Sequence, residues 1–307
     1  MKTLIAWFRI IRPPIAFIAC LGVIVGALNS ASFLKTELSS FQIIMILLGA
    51  FFLASGIMIH NDVTDLKSDK VNRPNKPLST GIISVKTAFV TSIAMMFLSI
   101  IIALFIDIRN NGDLNWTCGA LTFLLVLVAT CYNYYGKYHG IWGHIAVAFG
   151  VGSIPYWGSI AVFPEQIFLM LPIALAIFTQ EIGREIMVNA GDYKGDLKAG
   201  FKTLPVQIGI KRSMLVAIVF YLAFIPLYLL PTYDWLGIGV PHVFNQMYLI
   251  GGTLFAVTLL LTWILTYRVV LQGDEKKIWT AFERYERTGT RVMVIVFQIF
   301  LLLDVFF

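Results

Sequence analysis

The chain has 307 residues, 58% of them apolar and 13% charged, with a mean hydropathy of +0.82 and a formal net charge of +6. These values exclude an ordinary soluble domain and read as an integral membrane protein. The apolar runs are long and continuous, which excludes a membrane β-barrel, and Cys20, Cys118 and Cys131 lie singly inside such runs with no disulfide or metal spacing.

The N-terminal "MKTLIAWFRIIRPP" starts basic, but Arg9, Arg12 and the Pro13-Pro14 pair stop its apolar run short of a signal peptide. It predicts a short interfacial helix leading into the first span. A crossing helix needs about 20 mostly apolar residues. Nine such runs follow, at roughly 13–33, 40–60, 85–106, 115–135, 141–163, 166–188, 212–231, 244–267 and 288–307. The expected fold is an all-α membrane bundle of nine transmembrane helices forming a single domain over 1–307. Assigning sides by that count leaves only Lys35 and Arg109, of 23 Lys and Arg, opposite the N-terminus. The positive-inside rule then makes the N-terminal side cytoplasmic, with Phe307 outside and the plasma membrane as the location.

Charge concentrates after the second run, in "HNDVTDLKSDKVNRPNKPLSTG" (60–81), and after the sixth, in "NAGDYKGDLKAGFKTLP" (189–205). Asp62, Asp65 and Asp69 in the first segment and Asn189, Asp192 and Asp196 in the second share one spacing, three residues and then four. Four spans separate the copies, as duplication of a helical unit would leave. On a helix these offsets form one stripe, so each copy presents three oxygen-bearing side chains on one face. Like charges stacked beside a membrane repel, and a cation must offset them. Oxygen donors without His or Cys at ligand spacing favour Mg2+. Two such clusters on the same membrane side, flanked by Arg and Lys, suit a diphosphate whose departing charge the metal neutralises. Ordinary helix-start acids in two solvated loops would explain either segment alone; the repeated spacing argues against that reading.

"NDVTDLKSD" followed by "NRPNKPLSTG", with "NAGDYKGDLKAGFKTLP" later, resembles the UbiA superfamily of intramembrane prenyltransferases over essentially the whole chain. The resemblance implies transfer of an isoprenyl chain from a prenyl diphosphate to an acceptor, with Mg2+ holding the diphosphate between the two segments. By position, Asp62, Asp65, Asp69, Asp192 and Asp196 are implied metal-site residues, Asn61 belongs to the Asn-Asp opening, and Arg73 and Lys76 stand near the phosphates. "YNYYGK" is similar to the family's tyrosine-and-lysine segment, which implies that Lys137 holds phosphate and Tyr132 faces the allylic cation. Tyrosine at a membrane interface is also plain anchoring chemistry. Asn189 and Val188 depart from the Asp and Lys that many members carry there, leaving the second cluster one charge weaker.

The second segment and the first span are most similar to those archaeal members that join geranylgeranyl diphosphate to geranylgeranylglyceryl phosphate. A lipid-phosphate acceptor would suit the further basic residues Arg184, Lys198, Lys202 and Lys211, although the positive-inside rule alone also yields them. An aromatic acceptor, as in quinone or tetrapyrrole synthesis, is the second reading. A divalent-cation transporter is the third; it would place its acids mid-span, and here they cluster at span ends beside Arg73 and Lys76. Phe51, Phe52, Phe149, Trp157 and Phe178 are candidates to line the prenyl site or to pack. Residues 273–291 read as an amphipathic surface helix. His60 stands alone beside the first segment, no residue is an evident general base, and no nucleic-acid motif occurs.

Overall fold

The computed structural model describes residues 2–111, 116–232, 242–273 and 275–306. Phe307 and Asp234, the one charge of the expected external loop, lie outside them. The described residues form helices and no strands: α1 (Lys2–Ile10), α2 (Pro13–Leu34), α3 (Ser40–Thr64), α4 (Leu66–Asn72), α5 (Val85–Asn111), α6 (Thr117–Tyr134), α7 (Ile141–Ile160), α8 (Leu171–Ala199), α9 (Leu204–Ile208), α10 (Ile210–Leu229), α11 (Gln246–Gln272), α12 (Glu275–Ala281) and α13 (Arg291–Leu303). A π-helix, Phe282–Thr290, joins the last two.

Six of these, α2, α3, α5, α6, α10 and α11, are long and apolar enough to cross a membrane. The other three expected spans are helices as well, and they differ for identifiable reasons. α7 carries His144, Ser153 and Pro155, α8 carries Gln180, Glu181, Arg184 and Glu185, and α13 has only 13 residues. α7 packs between α2 and α8, and α8 packs against α10 as well, so their polar groups face protein and cavity and escape the cost of exposure to lipid.

The junction of α1 and α2 bends at Arg12, immediately before Pro13, where the backbone takes the left-handed region (φ 53°). α2 and α7 approach to backbone contact. A Cβ on Gly26 would lie 1.9 Å from the Pro155 carbonyl oxygen, and one on Gly158 would lie 2.0 Å from that of Val23. Only glycine leaves room at both crossings. Two buried aspartates cap helix starts: Asp107 accepts from the backbone N–H of Cys118 and Gly119 (3.0 and 2.7 Å), and Asp304 from Asn245 and Tyr248 (2.7 and 3.1 Å).

Both aspartate-bearing segments are helical. The first breaks at Asp65, which ends α3 and precedes α4, so its stripe is kinked. The second is the continuous end of α8, which runs eleven residues past the expected span end at 188 and stops at Gly200 (φ 78°).

Candidate active site

A cavity of about 1070 Å3 lies among α2, α3, α6, α7 and α8, and α1, the segment after α4, the π-helix and α13 complete its wall. Its character changes along its length. One end, the mouth, is lined by Asn61, Asp65, Arg73, Lys76, Asn189 and Asp192; the other is walled by apolar side chains such as Val23, Leu53, Leu125 and Trp157. Of the aromatics expected there, only Trp157 lines it. Phe52 and Phe149 pack against one buried cluster, Phe178 against another, and Phe51 stacks edge-on against Phe52.

At the mouth each helix contributes by its terminal turn. Asn61 and Asp65, one turn apart, are hydrogen-bonded at 2.7 Å. Lys137, buried in the short turn after α6, donates to Asp65 and to Thr64 Oγ1 (2.9 Å), and its ammonium stands 5.4 Å from the Tyr132 ring centroid. Behind the wall, Asp62 and Asp69 are almost fully buried and share Lys76, at 2.9 and 2.6 Å; Arg12 also pairs with Asp62. Arg73 crosses between the segments, donating to both Asp192 oxygens (3.0 and 2.8 Å) and to Asp69 (3.4 Å). Ser68 donates to Asp196 at 2.9 Å, and Asn72 to the Asp192 carbonyl at 3.1 Å. The two distant segments are thus tied side chain to side chain.

The electrostatics follow from these partners. Burial pushes the Asp69 carboxyl up, against the pull of Lys76. For Arg73, burial acts against the charge, but Asp192, Asp69 and Glu283 outweigh it and raise the guanidinium further. Asp196, beyond the apolar part of α8, is pushed up to about 7, by burial first and by Asp192 next; Ser68 offsets this only in part.

Among the described residues no three acidic, His or Cys side chains stand close enough to cage a metal by themselves. Mg2+ is ordinarily held by one or two carboxylates together with substrate phosphates. The mouth donors Asn61, Asp65, Asn189 and Asp192 are oxygen-bearing side chains, so they fit a hard divalent cation brought in with an anionic substrate.

Of the expected site residues, Asn61, Asp65, Arg73, Lys76, Tyr132, Arg184, Asn189 and Asp192 line the cavity, and Asp62, Asp69, Lys137 and Asp196 stand directly behind them. Lys198 and Lys202 do not join it: both are exposed, Lys198 in the last turn of α8 and Lys202 in the connection beyond it. Lys202 acts through its backbone, accepting from Gly140 N–H and donating to the Lys137 carbonyl (both 2.9 Å), which pins the turn that carries Lys137. His60 is buried, hydrogen-bonded to Asn133 at 2.7 Å, and does not line the cavity. The sequence reading missed Arg12, Glu181 and Glu185. Arg184 donates to Glu181 (2.7 Å from Nε) and to Glu185 (2.5 Å), and all three line the cavity. Charged residues inside an apolar run were the signal available.

The family model described as the UbiA prenyltransferase family matches residues 7–287. The chain is 33% identical over 238 residues to digeranylgeranylglyceryl phosphate synthase from Thermococcus kodakarensis, covering 76% of this chain and 80% of that one. Its fold is similar to the apo structure of a UbiA homologue from Aeropyrum pernix, with a TM-score of 0.71 at 17% identity over 94% of this chain and 97% of that one. It is also similar to a UbiA homologue from Archaeoglobus fulgidus bound to DMAPP and Mg2+, with a TM-score of 0.62 at 16% identity over 97% and 98% of the two chains.

Proposed function

The chain belongs to the UbiA prenyltransferase family, and from that premise we propose that this multi-pass membrane enzyme transfers a geranylgeranyl group from geranylgeranyl diphosphate to geranylgeranylglyceryl phosphate. The observation that carries the reading is the joining of a charged mouth, built from Asn61, Asp65, Arg73, Lys76, Asn189 and Asp192, to a deep apolar cavity. A prenyl diphosphate has that same division, and it is the donor chemistry the family implies. The acceptor is supported by the relative from Thermococcus kodakarensis, which carries that synthase name.

In this reading all nine expected helices span the membrane within one domain, the two aspartate segments are its repeated elements, and the mouth faces the cytoplasm. Asp65 and Asp192, with Asn61 and Asn189, would hold Mg2+, backed by Asp62, Asp69 and Asp196. Bound there with the diphosphate, the metal supplies neutralisation of the charge that develops on the leaving group. Arg73, Lys76 and Lys137, now paired with carboxylates, turn to phosphate oxygens when the donor enters. The prenyl tail fills the apolar part and excludes water. As the bond from C1 to the diphosphate oxygen lengthens, Tyr132 presents its ring to the allylic cation. The glycerol hydroxyl of the acceptor attacks C1, the new ether bond forms as the bond from C1 to the diphosphate breaks, and the hydroxyl proton passes to the departing diphosphate.

The test incubates purified protein with radiolabelled geranylgeranyl diphosphate, Mg2+ and either geranylgeranylglyceryl phosphate or 4-hydroxybenzoate. Asp65→Ala and EDTA serve as controls. Label on the glyceryl phosphate, lost in both controls, is expected; transfer to the aromatic acid alone overturns the acceptor.

A further inference from the structure

We infer that His144 is the positioning residue of the second acidic segment: it holds the Asn189 amide so that the side-chain oxygen, and not the nitrogen, is offered to the divalent cation at the mouth. The inference rests on reading the mouth as a Mg2+ and diphosphate site.

Asn189 stands where many family members carry aspartate, and the exchange creates a problem of orientation. A carboxylate offers an oxygen whichever way round it lies, whereas an amide has an oxygen at one end and an NH2 group, donor only, at the other. Facing a cation, the first end is a ligand and the second repels. The last torsion of an asparagine is broad and roughly two-fold, so the side chain does not choose between the two by itself.

The surrounding protein makes that choice. Asn189 lines the cavity. Its Nδ2 donates to the Glu185 backbone carbonyl at 3.0 Å, and a carbonyl can only accept, so the atom at that place is the nitrogen. Nδ2 also donates to His144 Nδ1 at 3.2 Å, which makes Nδ1 the unprotonated nitrogen of that ring. Both amide hydrogens are then taken, and Oδ1 is the end left to the cavity.

His144 stands behind the wall on α7, 2% exposed, and does not line the cavity. Its Nε2 is buried with no hydrogen-bond partner among the described residues. A buried ring N–H without a partner costs free energy that an apolar side chain of similar size would avoid. What histidine adds at this position is the contact with Asn189. The start of α7 is itself fixed: a Cβ on the neighbouring Gly143 would meet the Gly136 carbonyl oxygen at 2.7 Å, so the helix lies flush against the turn that carries Lys137.

The first segment meets the same need from within. Asn61 donates to the Asp65 carboxylate, four residues on, at 2.7 Å. Four residues after Asn189 stands Tyr193, which has no carboxylate to offer. The side chain that holds Asn189 comes from α7 instead.

The test uses detergent-solubilised full-length protein, geranylgeranyl thiolodiphosphate as an unreactive donor at one fixed concentration, and no acceptor. Mn2+ replaces Mg2+, and free Mn2+ is read by electron paramagnetic resonance, with thermal melts to confirm folding. His144→Leu should weaken Mn2+ binding by about tenfold or more. In an Asn189→Asp background the same change should cost less than about threefold, because a carboxylate needs no orienting partner. If His144→Leu is not recovered folded, His144→Ala in the same two backgrounds decides. Wild-type Mn2+ affinity in the folded variant, or an equal loss in both backgrounds, overturns the inference. Asp65→Ala separates this role from the reading beneath it. Wild-type affinity there sinks the metal site at the mouth and the inference with it; loss there, with none in His144→Leu, sinks the role of His144 alone.

Discussion

Arg73 and Asp192 are 119 positions apart in sequence, yet the Arg73 guanidinium donates to both Asp192 carboxylate oxygens, at 3.0 and 2.8 Å. This two-pronged contact holds the first aspartate segment against the second and closes the mouth of the cavity around opposite charges. Both contacts come from Nη2, while Nη1 reaches Asp69 at 3.4 Å, so one guanidinium spans carboxylates of the two segments with two separate nitrogens. Arg73→Ala is therefore expected to lower kcat/KM for the prenyl donor by about tenfold or more. Arg73→Lys should recover only part of the loss, since it keeps the charge and gives up the second nitrogen, which reaches Asp69 while the first holds Asp192. Donor titrations of the transfer rate check both, and full recovery by lysine would contradict the geometric argument.

Asp65 meets Lys137 and Asn61 and lines the mouth, whereas Asp62 is buried behind it between Arg12 and Lys76. Asp65→Asn should weaken the Mg2+ dependence directly, raising the Mg2+ concentration for half-maximal rate and lowering the maximal rate by about a hundredfold. Asp62→Asn should in addition lower the melting temperature, because Arg12 and Lys76 lose the carboxylate they share. Mg2+ titrations and thermal melts of the two variants side by side separate these effects.

The Asp196 carboxyl is pushed up to about 7 from an ordinary 3.8. The direction of its pH effect follows: a carboxyl whose folded-state value lies above its unfolded value favours folding when protonated. Without metal, its contribution to stability is present below about 4 and is lost as pH rises through about 7. A bound divalent cation competes with that proton, so Mg2+ affinity should increase as pH rises through about 7, and Asp196→Asn should flatten this dependence. Mg2+-dependent shifts of the melting temperature, measured from pH 5.5 to 8.5 (about the range where the group titrates), give the readout.

A Cβ at Gly26 would collide with the Pro155 carbonyl, at the crossing of α2 and α7, which form adjoining walls of the cavity. Gly26→Leu should destabilise the bundle by about 1–3 kcal/mol. Gly150→Ala, on the same α7 but facing open space, should leave the melting temperature unchanged or raise it, given alanine's higher helix propensity. A matched pair of thermal melts in one detergent tests the contrast.

Much of the site was legible in sequence because its residues carry their own local signal. The three-then-four spacing of Asp62, Asp65 and Asp69 and of Asn189, Asp192 and Asp196 is visible without a fold, and eight further residues, Asn61, Arg73, Lys76, Tyr132, Lys137, Arg184, Lys198 and Lys202, stood out by charge, ring type or place in a motif. The helical character was equally plain, since continuous apolar runs of span length admit no other structure in lipid. Spacing could not tell which acids face the cavity: Asp62 and Asp65 share one motif, and only the break at Asp65 turns one into the mouth and leaves the other buried. Lys198 and Lys202 looked equivalent to Lys76 by charge, but both are exposed, one in the last turn of α8 and one just beyond it. Glu181 and Glu185 were hidden by the apolar run around them, although an ionised pair inside such a run is itself a sign of a lined cavity.

The sequence by itself determined that this chain is a helical membrane protein with two matched acidic segments, because hydropathy, helix length and helical spacing are properties of consecutive residues. Only the tertiary structure decided the pairing of Arg73 with Asp192 and of Lys137 with Asp65 and which side chains line the cavity. Those depend on how close α2 comes to α7 and where α8 ends. Such contacts join residues far apart in the chain, and their geometry comes from packing that no local pattern encodes.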